Sequence, residues 1–266
     1  HPLLTDVHSL TWTTTPRGAC LAVGRAPPSD PGAPPVAGPQ FLGLSAAALE
    51  VIAKAGFKNP TPVQVQAIPP ALEGKDLTVS AQTGTGKTAT FVLPMVERLA
   101  GRQGTFGLIL APTREIAQQT QATIELLGGP RGVRSIVLIG GVDMRYDTQG
   151  LATYPQIIVA TPGRLCDHLD RGNIWLDFIE MVVLDEADRM LDMGFLDDIL
   201  RITNHLPAKR QTLLFSATMP AGIRKLAARL LHEPAEVSMA IAKPAAGVTQ
   251  KAYVVYQIAM LQLQVS

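Results

Sequence analysis

The chain has 266 residues, 47% of them apolar, and a formal net charge of +1. That length can bury one substantial core, or one core and a tail, and no apolar stretch approaches the roughly 18 residues of a membrane span. So balanced a charge neither requires nor forbids a nucleic-acid partner, because a basic groove can sit on a neutral protein. The cysteines Cys20 and Cys166 lie far apart in unlike contexts. This argues against a disulfide framework and, without a Cys/His cluster, against structural zinc; a reducing cytoplasm is the expected compartment.

Residues 1–40 differ from the rest. Pro27, Pro28, Pro31, Pro34, Pro35 and Pro39, with Gly32 and Gly38 among them, preclude both helix and central strand. Upstream, Ala19 to Val23 is too short for a signal-peptide core, and Asp6 with no amphipathic pattern argues against a transit peptide. This stretch reads as a disordered extension. The sequence lacks an initiator methionine, which is read as the mark of a fragment or processed product.

From Phe41 onward the pattern alternates. Ser45 can cap a helix through Leu49, Ile52 and Ala53 that Gly56 ends, and Pro62 opens another through Val65, Ile68 and Leu72. Short β-rich runs follow at Leu77 to Ser80, Gly107 to Ala111, Ser135 to Ile139, Gln156 to Ala160, Met181 to Leu184 and Thr212 to Phe215, with a weaker one at Ala235 to Met239. Such runs, each followed by a helical or polar stretch, predict βαβ units: an α/β domain with a parallel, doubly wound sheet covered on both faces, over residues 41–240.

Two strand ends carry chemistry. After Leu77 to Ser80 comes Ala81-Gln82-Thr83-Gly84-Thr85-Gly86-Lys87-Thr88. Its glycines let backbone N–H groups turn inward around a phosphate at a helix N-terminus, where Lys87 reaches the β/γ-phosphates and the Thr88 hydroxyl can ligate magnesium. A Gly-rich turn that binds nothing is the bland alternative. After Met181 to Leu184 comes Asp185-Glu186-Ala187-Asp188, placing carboxylates at the edge where open α/β sheets bind ligands. One carboxylate can hold magnesium while its neighbour positions or deprotonates a water.

The other strand ends bear Ala111-Pro112-Thr113-Arg114-Glu115, Gly140-Gly141, Ala160-Thr161-Pro162-Gly163-Arg164 and Ser216-Ala217-Thr218. Each offers a hydroxyl, an arginine or bare backbone, groups that grip phosphates without reading bases. Singly, an ordinary strand-to-helix turn with a Thr cap explains each; together they describe a second row of phosphate contacts.

This set resembles the first RecA-like domain of the DEAD-box RNA helicases. Gly56-Phe57-Lys58-Asn59-Pro60-Thr61-Pro62-Val63-Gln64 is similar to that family's Q motif, with Phe41 in the place of its isolated upstream aromatic. Ala81 to Thr88 resembles motif I, Pro112 to Ala117 motif Ia, Gly140-Gly141 the GG motif, Thr161 to Arg164 motif Ib, Asp185 to Asp188 motif II and Ser216 to Thr218 motif III. Ile116 stands where the family often has Leu. The resemblance covers about two hundred residues.

It implies an ATP- and Mg2+-dependent, RNA-directed activity: ATP hydrolysis coupled to local RNA duplex unwinding. Gln64 would pair with the adenine edge and Phe57 pack near that ring, with Lys58, Pro60, Thr61 and Gln82 to Thr88 completing the nucleotide site. Asp185 would hold magnesium, Glu186 activate water, and Asp188, Ser216 and Thr218 link this site to the RNA-facing loops. Pro112, Thr113, Arg114, Gly140, Gly141, Thr161, Pro162, Gly163 and Arg164 would contact one RNA strand through its sugar-phosphate backbone. The family also needs a second RecA-like domain. Residues 241–266, where Gln250 to Val255 resemble the start of a linking segment, leave no room for one, so the expectation is weak ATP binding and almost no turnover by this chain alone. Two alternatives stay open: a non-enzymatic truncated ATP/RNA-binding module, and a DNA-directed RecA-like ATPase.

Other conspicuous residues receive plain readings. Met190, Met193 and Phe195 are expected in the core, His168 and His205 on helix surfaces or caps, Trp175 over a sheet end, and Lys209-Arg210 in a solvated turn.

Overall fold

A seven-stranded sheet organises the molecule, seen here in a computed structural model that describes residues 42–82 and 84–239. Ser45 caps α1 (Ala46–Lys54), accepting from the Ala48 N–H, and Thr61 precedes α2 (Pro62–Leu72), whose first residue is a proline. Then β1 (Leu77–Ser80) leads to α3 (Lys87–Leu99), β2 (Gly107–Leu110) to α4 (Arg114–Gly128), β3 (Ser135–Leu138) to α5 (Met144–Leu151), and β4 (Ile157–Ala160) to α6 (Pro162–Asp170). After β5 (Met181–Leu184) come α7 (Ala187–Asp192) and α8 (Leu196–Asn204); β6 (Gln211–Ser216), α9 (Ala221–Leu230) and β7 (Ala235–Ser238) complete the described chain. Every run expected to be a strand is one, with ends displaced by a single residue at most.

All pairings are parallel, in the order β3-β4-β2-β5-β6-β1-β7. Buried strands therefore read as continuous apolar runs, and alternate side chains feed two separate cores. Val79, Ile109, Val159, Val183 and Phe215 face the layer of α1 to α4. Leu110, Ile158, Val182, Leu184 and Leu214 face α6 to α9. Phe91 of α3 meets Phe215 edge-on, ring centroids 5.1 Å apart. Among the described residues no helix is long and apolar enough to cross a membrane.

Polar groups pin the central strands where hydrophobic burial cannot set register. Buried Asp76, just before β1, accepts from the Thr212 N–H through Oδ1 and from the His232 N–H through Oδ2, each at 2.7 Å. Its own carbonyl accepts from Ala235 N at 2.8 Å. One residue thus ties β6, β1 and β7 together.

Two expectations fail. His168 is fully buried (0% exposed), because α6 turns that face inward; polar sequence neighbours on the opposite face concealed this. Trp175 is 74% exposed and lines a cavity with Thr105 and Phe106, which lead into β2, and with Ile158 of β4, while Met193 is exposed although Met190 is core. The bulk of Trp175 does not report burial because it follows α6 in a loop, where neither strand nor helix periodicity orients it.

Candidate functional site

Because every strand is parallel, every strand-to-helix loop emerges on one edge of the sheet. Strand order then divides these loops into two groups. Neighbouring β5, β6 and β1 deliver Asp185 to Asp188, Ser216 to Thr218 and Ala81 to Thr88. Neighbouring β3, β4 and β2 deliver Gly140-Gly141, Thr161 to Arg164 and Pro112 to Arg114.

In the first group, Gly84 and Gly86 adopt positive φ (+81° and +89°), and Gly86 caps α3. A Cβ on Gly86 would sit 2.6 Å from Gln64 Nε2, so this close approach of loop and helix requires glycine. The Thr85 hydroxyl donates to the Gln82 carbonyl at 2.7 Å. Lys87 and Asp185 are only 6% and 4% exposed. Among the described residues Lys87 Nζ and Asp185 Oδ1 are both buried without a hydrogen-bond partner, and they line one cleft of about 320 Å³ with Gly84, Gly86, Thr88 and Glu186. A buried cation and a buried carboxylate oxygen, both unpartnered, suit a bound polyanion with a divalent cation. Oxygen donors from Asp185 and Thr88 are the kind that magnesium takes.

Burial pushes the Asp185 carboxyl up to about 6 despite the attraction of Lys87. Glu186 occupies the left-handed region (φ 51°, ψ 51°) as the cap of α7, a conformation costing a non-glycine residue about 1–3 kcal/mol. Its carboxylate lies 3.4 Å from Arg189 Nη1. Asp188 Oδ2 accepts from both the backbone N–H and the hydroxyl of Thr218, each at 2.9 Å, and Asp188 N donates to Ser216 Oγ at 3.3 Å. Burial works against charge on Asp188, yet the bonds from Thr218 hold its carboxyl below the ordinary value. The β5 and β6 loops are thereby clamped together.

The adenine-side residues are arranged less openly than expected. Gln64 is buried with both ends of its amide engaged: Oε1 accepts from Thr61 N at 2.9 Å, and Nε2 donates to the Gly86 carbonyl at 3.1 Å. The gap between Gln64, Pro60 and the exposed Phe57 ring is about 20 Å³, room for about one water. Lys58 points to solvent. Phe41 and Thr83 lie outside the described residues.

In the second group, Thr113 caps α4 and Thr161 precedes α6 as its cap, each at a helix N-terminus. Pro112 and Pro162 are buried beneath, while Gly163 is part-exposed. Arg114 is exposed and packs against the glycine loop: a Cβ on Gly141 (φ +80°) would lie 2.5 Å from Arg114 Nη1. Arg164 is different. Its Nε donates to Asp147 Oδ2 at 2.8 Å and its Nη2 to the Val142 carbonyl at 2.7 Å, leaving the side chain 9% exposed. Asp147 and Asp76 are structural carboxylates that sequence reasoning missed. Their only signal was a lone Asp in an otherwise ordinary setting.

Comparison with known proteins accords with this geometry. Residues 61–226 match the DEAD/DEAH box helicase family profile. The DEAD-box ATP-dependent RNA helicase CshA of Geobacillus kaustophilus is 46% identical over 196 residues, covering 73% of this chain and 42% of that protein. The ATP-dependent RNA helicase CshA of Limosilactobacillus reuteri is 48% identical over 197 residues, covering 74% and 40%. The crystal structure of a DEAD box protein from the hyperthermophile Methanococcus jannaschii superposes with a TM-score of 0.73 at 37% identity, covering 76% of this chain and 55% of that one. The chain thus spans about two-fifths of the length of these curated relatives. With the family profile extending from Thr61 through β6 into α9, across both groups of loops, the chain belongs to the DEAD/DEAH box helicase family.

Proposed function

We propose that this chain is the ATP- and RNA-binding core of an RNA helicase, coupling ATP hydrolysis to local strand separation when joined to a second RecA-like domain. The observation that carries the reading is the pair of buried groups Lys87 Nζ and Asp185 Oδ1, without partners among the described residues, in the cleft beneath the helix-capping glycines. A bound phosphate chain and its cation would supply both partners. In this reading the backbone of Gln82 to Gly86 cradles the phosphates, Lys87 reaches the terminal ones, and Thr88 and Asp185 hold magnesium. Magnesium, when bound, offsets phosphate charge. Glu186 orients and deprotonates the attacking water, from a backbone conformation already fixed for that purpose. Asp188 passes the state of this cleft to Thr218 and Ser216.

Adenine specificity falls to Gln64 and Phe57, with Lys58, Pro60 and Thr61 at the rim. Gln64 would exchange its bond to the Gly86 carbonyl for the base, so nucleotide arrival and phosphate-loop shape are coupled. On the adjacent loops, Pro112, Thr113, Arg114, Gly140, Gly141, Thr161, Pro162, Gly163 and Arg164 form the RNA-backbone site, sequence-tolerant and salt-dependent. A second domain would supply arginines to the γ-phosphate, worth about 10³ to 10⁵ in rate for P-loop enzymes. The compartment is a reducing cytoplasm, in which Cys166 remains a thiol.

The test is ATP hydrolysis by these 266 residues with and without single-stranded RNA or DNA, with Glu186→Gln as the blank. A fluorescent nucleotide should bind weakly with magnesium and Lys87→Ala should abolish binding, while turnover stays near the blank. Failure to bind nucleotide at all would refute the reading. RNA-stimulated turnover well above the blank would remove the requirement for a second domain, and stimulation by DNA alone would reassign the substrate.

A further inference from the structure

A single oxygen joins two helices beneath the glycine loop. Asp147 Oδ2, on α5, accepts from Arg164 Nε at 2.8 Å, lies 2.8 Å from Arg164 Nη2 and lies 3.0 Å from His168 Nε2. Arg164 and His168 are spaced i and i+4 on α6, so they share the face that meets α5. Asp147 is buried and His168 wholly so. A carboxylate in such a place costs several kcal/mol unless paired and hydrogen-bonded, and here it is both.

The outer ring nitrogen, His168 Nδ1, faces Asn173 Nδ2 at 3.4 Å. A neutral ring protonated at Nε2 satisfies both sides at once, donating to Asp147 and accepting from Asn173. It fixes the carboxylate, and the carboxylate fixes the guanidinium. Arg164 Nη2 in turn donates to the Val142 carbonyl at 2.7 Å, inside the exposed loop that follows β3. That loop is constrained from its other side by Arg114, whose guanidinium packs against Gly141.

A nearly buried arginine with Nε and Nη2 committed to a carboxylate and a carbonyl is less free to grip a phosphate than an exposed one. It is well placed to set the path of backbone that grips one. We infer that Asp147 and His168 are positioning residues for the RNA-backbone site: they hold Arg164 so that it fixes the loop from Gly140 to Asp143, and Arg164 acts on RNA through that loop. This rests on the reading that the β3, β4 and β2 loops bind RNA.

Three variants and three readouts test it. His168→Leu keeps most of the ring's volume and removes its donor; His168→Gln restores a donor near the Nε2 position; Asn173→Ala removes only the outer contact. Single-stranded RNA affinity is read by fluorescence anisotropy, nucleotide affinity with a fluorescent ADP, and loop order by amide hydrogen exchange at residues 140–143. For His168→Leu, RNA affinity should fall about 10-fold, the scale of one hydrogen bond to a charged group, and exchange in the loop should rise, while ADP affinity stays within about twofold. His168→Gln should recover most of the RNA affinity. Asn173→Ala should shift both readouts in the same direction by less, and it decides the matter if His168→Leu does not fold.

Unchanged loop exchange and RNA affinity in folded His168→Leu would overturn the inference. So would ADP affinity falling in step with RNA affinity, or no recovery by glutamine. If the unaltered chain binds no RNA, the reading of this edge as an RNA site fails. The exchange measurement then still decides whether His168 and Asp147 hold the loop.

Discussion

Replacing Asp76 tests how the sheet is held together, independently of any ligand. Its two carboxylate oxygens each accept one backbone N–H, from Thr212 and His232, at 2.7 Å, and the residue is buried. A hydrogen bond to a charged group contributes about 1.5–3 kcal/mol, and a buried donor left without a partner costs about 1–3 kcal/mol. Asp76→Ala strands two donors, so the expected loss is about 3–5 kcal/mol out of a total stability of about 5–15 kcal/mol. For a domain of this size that lowers the melting temperature by about 6–20 °C. Asp76→Asn keeps one acceptor but turns an amide N–H2 toward the other donor, so about 2–3 kcal/mol should be lost. Urea unfolding followed by circular dichroism, with the slope unchanged, measures both. A loss below about 1 kcal/mol in Asp76→Ala would refute the claim that this carboxylate pins β6 and the segment before β7 to β1.

Other outcomes follow from the same structure. Asp185 titrates near 6 in the folded chain and near its ordinary value of 3.8 when unfolded, so the folded form holds the proton more tightly. Without nucleotide or magnesium, this group therefore weakens folding above pH 6 and ceases to do so as pH falls toward 4. Asp185→Asn should accordingly stabilise the ligand-free chain at pH 7.5, on the order of 1–3 kcal/mol, and scarcely at pH 4.5; equal effects at both pH values in urea titrations would contradict this. Burial, with a smaller push from Asp198, raises the Cys166 thiol to about 11. Peptide mapping after iodoacetamide treatment at pH 8 should find Cys166 alkylated about 100-fold more slowly in the folded than in the urea-unfolded chain, since only thiolate reacts. Gly86→Ala should abolish fluorescent-nucleotide binding while leaving the fold's circular dichroism intact, because the new Cβ would meet Gln64 Nε2 and φ there is positive; retained affinity would show that the loop can relax.

The sequence by itself determined the elements and the chemistry of single loops. Val182, Val183 and Leu184 announce a buried strand because a strand covered on both faces must be apolar throughout. Gly84, Gly86 and Lys87 announce a phosphate loop because that backbone path tolerates few other residues. Only the tertiary structure decided which loops stand side by side. Strand order is a long-range choice that no local run encodes, and it places the β5, β6 and β1 loops together and the β3, β4 and β2 loops together. It also decided what individual polar side chains do. His168 reads as a surface residue until α6 packs against α5 and turns it onto Asp147. Gln64 reads as a free adenine ligand until the Gly86 carbonyl arrives within hydrogen-bonding distance, and Arg164 as a free phosphate ligand until Asp147 and Val142 take up its Nε and Nη2. Apolar periodicity reports burial because each apolar residue gains by leaving water whichever neighbour it meets. A buried polar group must instead meet one particular partner, and that partner is named only when the chain has folded.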